Sequence, residues 1–183
     1  MNISSYPFFI DQLKTCLKRL LPETGGLQLQ QVEITEEALR LLVKATEPES
    51  RCPVCGSVAT RVQSHYQRML QDLPWGSLRV RLRLHVRRFF CSNSSCPRQI
   101  FTERLPDLAQ SYGRRTNRLR DALLEVGWAL GGEAGSRLCH KQAMPIAAST
   151  LLGLLRRSSV KELPTPRVLG VDDWGFQRKH PTG

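Results

Sequence analysis

The chain has 183 residues, 40% of them apolar, which suits one or two small domains with ordinary cores. It has no apolar run of about 18 residues, so no membrane span is expected, and charges within Met1–Leu21 indicate an amphipathic helix rather than an export signal. The chain has 27 Lys/Arg and 16 Asp/Glu residues, and residues 51–120 contain 14 of the former and 3 of the latter. The net charge of +11 therefore lies in this block. Such a block favours nucleic acid as the partner over an anionic membrane or a merely basic surface.

The first segment, residues 1–47, predicts a helix followed by a β-hairpin. Helical periodicity runs from Pro7 to Leu21, and Pro22 ends it. Two strand-like runs follow, Leu27–Ile34 and Ala38–Ala45, with an acidic pair between them. By propensity alone, a helix is nearly as well favoured for the second run.

Four cysteines in residues 48–110 have the spacing of a zinc site. They form C-x2-C and C-x4-C pairs that can supply four sulfurs to one tetrahedral ion, and Gly56 permits the turn after the first pair. A disulfide pair is the alternative, but it requires an oxidising compartment. His65 and His85 are spare candidates, whereas Cys16 and Cys139 are predicted to be buried apolar residues. The predicted ligands of a structural zinc are Cys52, Cys55, Cys91 and Cys96.

The clearest strand in the sequence runs from Leu78 to Phe90. Its aliphatic residues alternate with cations, so one face is apolar and the other is a row of like charges about 6–7 Å apart. Such a row repels itself unless an anion lies across it, although a solvated strand face is the alternative. The predicted DNA contacts of this strand are Arg79, Arg81, Arg83 and Arg87.

Residues 111–158 predict an all-α domain of three helices. One face of the first helix carries Leu119, Leu123, Val126 and Leu130 before Gly131-Gly132 interrupts it. The second helix, Glu133–Lys141, is predicted to turn Ala134 and Leu138 inward. Ser149 or a nearby residue is predicted to cap the third.

The short helices, the tight turn at Met144-Pro145-Ile146 and the basic end of the last helix match a helix-turn-helix, although a plain three-helix packing unit is the alternative. The last helix would enter the major groove of double-stranded DNA. Ser149 and Thr150 are predicted at base edges and Arg156 and Arg157 at phosphates. Further contacts at the entry to the first helix are predicted for Arg114, Arg115 and Arg118.

Residues 159–166 are predicted to be a linker, and residues 167–183 begin with a short apolar strand that reaches Asp172-Asp173. Without further information, an Asp pair after a strand is most often a turn.

Several motifs in this order resemble the ISL-three family of insertion-sequence transposases. The likeness covers nearly the whole chain. The residues that carry it are Cys52-Pro-Val-Cys55-Gly, Asp72-Leu-Pro-Trp75-Gly76, the strand Val80–Cys91, Cys96-Pro-Arg-Gln-Ile-Phe101-Thr-Glu-Arg-Leu-Pro, Gly131-Gly-Glu-Ala-Gly and Arg167-Val-Leu-Gly-Val-Asp172-Asp173-Trp174.

The resemblance implies an α+β chain: a small zinc-bound β-rich domain, an all-α helix-turn-helix domain and a stub of an RNase H-like domain. It also implies that Asp172 is the first carboxylate of a DDE site that binds Mg²⁺. The family continues with two more acidic residues, whereas this sequence closes with Arg178-Lys-His-Pro-Thr-Gly, which departs from the family pattern. We therefore expect a truncated chain that does not catalyse strand transfer alone.

The function implied is recognition of the terminal inverted repeats of a bacterial insertion sequence, in the cytoplasm and at the nucleoid, with self-association as a further expectation. A stand-alone zinc-finger and helix-turn-helix regulator is the alternative. A protein-interaction module and an active nuclease are less favoured.

Overall fold

The computed structural model describes residues 26–158. The predicted helix Pro7–Leu21, the linker 159–166 and the segment 167–183 with Asp172 lie outside the described residues. The strands are β1 (Leu27–Ile34), β2 (Ala38–Ala45), β3 (Ser50–Arg51), β4 (Val58–Ala59), β5 (Val62–Trp75), β6 (Leu78–Phe90) and β7 (Ile100–Thr102). The helices are α1 (Asn117–Lys141) and α2 (Ala148–Arg157).

Strand β6 is the centre of a five-stranded sheet of order β1-β2-β6-β5, and β7 pairs with its end. Pairing is antiparallel except between β2 and β6, where Leu41 stands opposite Leu82 in parallel register. The hairpin β1–β2 thus belongs to the same sheet as β5 and β6. The predicted boundary between residues 47 and 48 falls between strands of one sheet.

The second apolar run is a strand rather than a helix because its burial alternates. Leu39, Leu41, Val43 and Ala45 are buried on one face of β2. Leu39, Leu41 and Val43 join Val80, Leu82, Leu84 and Val86 of β6 in a core that the loop residues Leu108 and Ala109 also enter. A helix would scatter the period-two residues of β2 around its axis.

The helical unit has its own core, which contains Leu119, Leu123, Cys139, Ile146 and Leu151. Helix α1 is interrupted at Gly131, where φ is +70°, a conformation that suits glycine. The burial of Leu119 and Leu123 agrees with the predicted inner face of the first helix.

Three details of the helical prediction were wrong. Leu130 is 45% exposed, because the interruption at Gly131 ends the first helical face beside it. After Gly131, the buried positions are Gly135 and Cys139 rather than Ala134 and Leu138. The N-cap of α2 is Ala147, which makes no side-chain capping bond, so Ser149 lies inside the helix.

The helical unit is attached to the outer edge of β5. The Gln71 amide donates to the Arg114 carbonyl, and the Thr116 amide donates to the Gln71 carbonyl, each at 2.9 Å. Thr116 is fully buried and caps α1 through its side chain, which accepts from the Leu119 amide. The start of α1 is therefore held against the sheet by backbone pairing and by its cap.

Across residues 26–158, neither helix has the length and apolar character that crossing a membrane requires.

Candidate metal centre and nucleic-acid interface

The four predicted cysteine ligands converge on one point. The Sγ atoms of Cys52 and Cys96 are 3.9 Å apart, those of Cys55 and Cys91 are 3.5 Å apart, and all four lie within 4.8 Å of one another. A tetrahedral zinc about 2.3 Å from each sulfur requires sulfurs about 3.8 Å apart. The four residues therefore fit a Zn²⁺ ion with no ligand position left for water, as a structural site requires.

The backbone around the cysteines turns sharply to direct the thiols inward. In the first knuckle, the Cys52 amide donates to the Ser57 carbonyl and the Gly56 amide donates to the Cys52 carbonyl, each at 2.9 Å. Gly56 has φ of +73°, as the sequence predicted for this turn. In the second knuckle, the Cys91 amide donates to Gln99 and the Cys96 amide to Asn93.

The disulfide alternative does not fit this geometry. A disulfide requires sulfurs about 2.05 Å apart, and the cysteines described in residues 26–158 are all free thiols. His85 forms a hydrogen bond with Gln67 instead of joining the cysteine cluster. Cys139 is fully buried in the helical core, in agreement with its predicted role as a buried apolar residue.

The pKa values of the four thiols differ widely when no cation is present. The side chain of Ser57, whose Oγ is 3.3 Å from Cys55 Sγ, is the main cause of a Cys55 pKa lowered to about 6. The backbone at Asn93 lowers the pKa of Cys91. Burial and the neighbouring thiols Cys55 and Cys52 together outweigh this effect and raise the pKa to about 12. Four thiolates cannot coexist in this space without a cation, and Zn²⁺ supplies the missing charge.

The metal-binding knuckles are attached to the end of the main sheet. Phe89 of β6 and Phe101 of β7 are buried with Cys52, Cys96 and Ala59, and their rings lie 6.0 Å apart. Strands β3 and β4 form a separate two-stranded sheet over this small core. Zinc would therefore stabilise a region that has few apolar side chains of its own.

The face of β6 opposite the core is basic. Arg79 and Arg81 are exposed and Arg83 is half-buried, and none of the three guanidinium groups forms an ion pair with a carboxylate of residues 26–158. The pairing of β2 with β6 adds two cations that sequence reasoning missed. Lys44 stands opposite His85, and Arg40, which forms a loose ion pair with Glu33 at 3.8 Å, stands opposite Arg81. No local sequence pattern reveals this parallel register, which alone places these side chains of β2 on the basic face.

Two of the predicted DNA contacts are engaged inside the protein. Arg87 donates from Nε to Glu103 at 3.1 Å, contacts the same buried carboxylate through Nη2 and lies over the Phe89 ring. Arg118 donates from Nε to Asp72 at 2.7 Å. Both arginines therefore bind buried carboxylates within the fold.

Arg115 lies in a small cleft where the basic strand meets the helical unit. Arg79, Arg81 and Arg115 line this cleft together with residues of α1 and of the turn before α2. Burial first, and then the neighbouring charge of Arg114, lower the pKa of Arg115. Its Nε is buried and has no hydrogen-bond partner among the described residues. Arg114 is exposed.

The remaining predicted contacts lie on α2. Ser149, Arg156 and Arg157 are exposed, and Thr150 is half-buried. The fully buried Leu151 fixes the helix against α1. Arg157 also donates from Nε to the Gly153 carbonyl at 2.9 Å.

Comparison with known proteins agrees with the metal site. The family described as "zinc-finger of transposase IS204/IS1001/IS1096/IS1165" matches residues 48–96, which contain all four cysteines. The transposase for insertion sequence element IS1001 of Bordetella parapertussis is 28% identical over 171 residues, covering 89% of this chain. The chain spans 41% of the length of that relative. No solved structure matches the chain.

Residues 48–96 are therefore similar to a zinc finger of transposases, and this matched segment contains all four converging thiols.

Proposed function

We propose that this chain is the DNA-binding N-terminal part of an insertion-sequence transposase and that it recognises duplex DNA at the element's terminal inverted repeats. The proposal combines the similarity to a transposase and to a transposase zinc finger with a basic surface that continues from the sheet to the helical unit. We further propose that residues 48–110 and 111–158 act as two DNA-binding parts, with the hairpin of residues 27–45 as an integral part of the first.

The observation that carries this proposal is the uncompensated row of arginines on β6. Side chains two residues apart on a strand lie about 6–7 Å apart, a spacing comparable to that of successive phosphates along one DNA strand. Arg79, Arg81 and Arg83 have no carboxylate partners within residues 26–158, so they remain free to replace the counterions of a phosphate backbone. Arg115 extends this row towards α1.

The helical unit supports sequence recognition. We propose that α2 is the recognition helix of a helix-turn-helix, with the part of α1 after Gly131 as the helix before it. The exposed Ser149 and the half-buried Thr150 lie in the first turn of α2, where such helices contact base edges, and Arg156 and Arg157 would contact phosphates.

Catalysis by the whole transposase remains a separate proposal. The family resemblance implies that Asp172 is the first carboxylate of a Mg²⁺ site, for which oxygen ligands are suited. One carboxylate cannot complete a two-metal site, so Asp172 would act together with further acidic residues of the whole transposase. We also propose self-association, because a symmetric dimer can bind two inverted repeats through equivalent surfaces.

A selection experiment tests this function. The zinc-loaded chain would be incubated with random 30-bp duplexes at 150 mM salt, and the bound DNA would be sequenced over several rounds. We expect enrichment of one motif that occurs as an inverted pair flanking the gene encoding the chain. A motif that occurs once, upstream of the gene, would favour a stand-alone regulator. Binding without enrichment and without salt dependence would contradict both.

A further inference from the structure

A second basic site lies on the other side of the sheet. It is a cleft of about 870 Å³ lined by Pro53 of the first cysteine knuckle, by Arg98 and by residues of the segment 102–112. Tyr66 and Arg68 at its floor stand opposite Val86 and Leu84, on the core face of the sheet, and so point away from Arg81 and Arg83. The side chains that matter to its chemistry are Tyr66, Arg68, Arg98, Glu103, Arg104 and Tyr112.

Tyr112 is the most exposed large apolar side chain of the described residues, with 87% of its surface accessible. Its backbone has φ of +59°, in the left-handed region, which costs a residue other than glycine about 1–3 kcal/mol. The ring of Tyr112 is too exposed for its burial to offset this backbone cost. A ligand that covers the ring would explain why an aromatic residue occupies this position.

The loop that carries Tyr112 is held in place. Arg68 donates to the carbonyls of Gln110, at 3.2 Å, and Gly113, and the Gly113 amide donates to Gln110 at 3.0 Å. Leu108 and Ala109 are buried in the sheet core. Tyr112 is therefore presented by a fixed loop, so a ligand would lose little free energy in ordering it.

The charges around the ring favour an anion. Arg104 lies 5.7 Å from the centre of the Tyr112 ring, and Arg98 is exposed across the cleft. The acidic group in the lining, Glu103, is buried and paired with Arg87. An exposed aromatic face beside two arginines matches a base with its phosphates, because stacking and charge neutralisation are how proteins bind unpaired nucleotides.

We propose that this cleft binds an unpaired nucleotide of a DNA strand, with its base stacked on Tyr112 and its phosphates beside Arg98 and Arg104. A base in the interior of a duplex is covered on both faces by its neighbours, whereas an unpaired base has a face free to stack on the ring. The inference rests on the proposed DNA-binding function, because the same chain would place a duplex on the basic face of β6 and an unpaired end in this cleft.

Fluorescence anisotropy of the zinc-loaded full chain tests the proposal. The probes are a blunt 20-bp duplex, the same duplex with a five-nucleotide single-stranded tail at either end, the tail alone and a free nucleoside monophosphate as competitor. The variants are Tyr112→Ala, Tyr112→Phe, Arg104→Gln and, as a control for an exposed ring elsewhere, Trp128→Ala. Zinc content and the urea midpoint would be measured for each variant.

We expect the tailed duplex to bind more tightly than the blunt one. Tyr112→Ala and Arg104→Gln should weaken binding of the tailed duplex and leave the blunt duplex unchanged, with Tyr112→Ala costing about 5- to 150-fold, the range for one stacked base. Tyr112→Phe and Trp128→Ala should retain the preference for a tail.

Equal affinity for tailed and blunt duplexes would overturn the proposal, as would equal losses for both in Tyr112→Ala. Displacement by the free nucleotide with no added affinity from the tail would identify a mononucleotide site and also overturn it. Tail binding without any blunt-duplex binding would instead contradict the proposed duplex function and leave the cleft's role supported.

Discussion

The carboxylate of Asp72 on β5 binds the guanidinium of Arg118 on α1, 46 residues later in the chain. The Asp72 side chain is fully buried and that of Arg118 is one-third exposed. The Thr116 hydroxyl and the Leu73 amide also donate to this carboxylate, at 2.6 and 2.9 Å. Asp72 therefore joins the sheet to the helical unit through one fully hydrogen-bonded charge.

Removing this charge should destabilise the protein far more than removing an exposed one. For Asp72→Asn, we expect the free energy of unfolding in urea to fall by about 2–4 kcal/mol, since a guanidinium and a hydroxyl lose their charged acceptor. Glu33→Gln is the matched control, because Glu33 and Arg40 form a loose pair at 3.8 Å with both side chains about 40% exposed. That change should cost under about 1 kcal/mol. Equal effects of the two substitutions would refute the assigned role of Asp72.

The zinc site predicts a local loss of structure when one ligand is removed. Cys91→Ser should reduce the metal content from one zinc per chain to none, measured by elemental analysis, because three thiolates and a hydroxyl bind zinc poorly. Hydrogen exchange at the amides of Cys52 and Gly56, whose acceptors lie within the first knuckle, should then become fast. Exchange in β2 should change little, since its core is separate from the cysteines.

Cys139→Ala is the control for this experiment. The residue is buried in the helical core and distant from the metal-binding cluster. We expect it to keep one zinc per chain and to lose about 1 kcal/mol of stability by leaving a small cavity. Retention of zinc by Cys91→Ser would rule out the four-cysteine site.

The same substitution at two glycines should have opposite effects on stability. A Cβ on Gly135 of α1 would lie 2.8 Å from Leu151 Cδ2, in a fully buried contact between the helices. Gly135→Ala should therefore destabilise by about 1–2 kcal/mol through overpacking. Gly153 of α2 faces only the terminal nitrogen of the exposed Arg157, so Gly153→Ala should stabilise by about 0.5–1 kcal/mol. Thermal unfolding of both variants measures this difference, and stabilisation by Gly135→Ala would contradict the close packing of α1 on α2.

The basic face predicts a general, salt-dependent loss of DNA affinity. Arg81→Gln should weaken binding to specific and random duplexes by similar factors and reduce the slope of log K against log salt by about 1. Arg88→Gln is the control, because Arg88 is already stacked over Tyr66, on the other side of the sheet. An unchanged salt slope in Arg81→Gln would remove this arginine from the phosphate contacts.

Local patterns in the sequence predicted much of this protein. The cysteine spacing indicated the metal site because two short knuckles need only tight turns to direct their thiols. The alternation in β6 indicated one apolar and one basic face because strand geometry has a period of two. The limits of β1 and β2 also followed from their apolar runs and the acidic turn between them.

Other features depended on contacts between distant residues. No local signal shows that β2 pairs in parallel with β6, yet that pairing adds Arg40 and Lys44 to the basic face. Arg87 and Arg118 look like surface cations in the sequence, but Glu103 and Asp72 bind them in the fold. The sequence itself determines the charge, spacing and periodicity of side chains. The partner of each charge is determined only when segments far apart in the chain pack together.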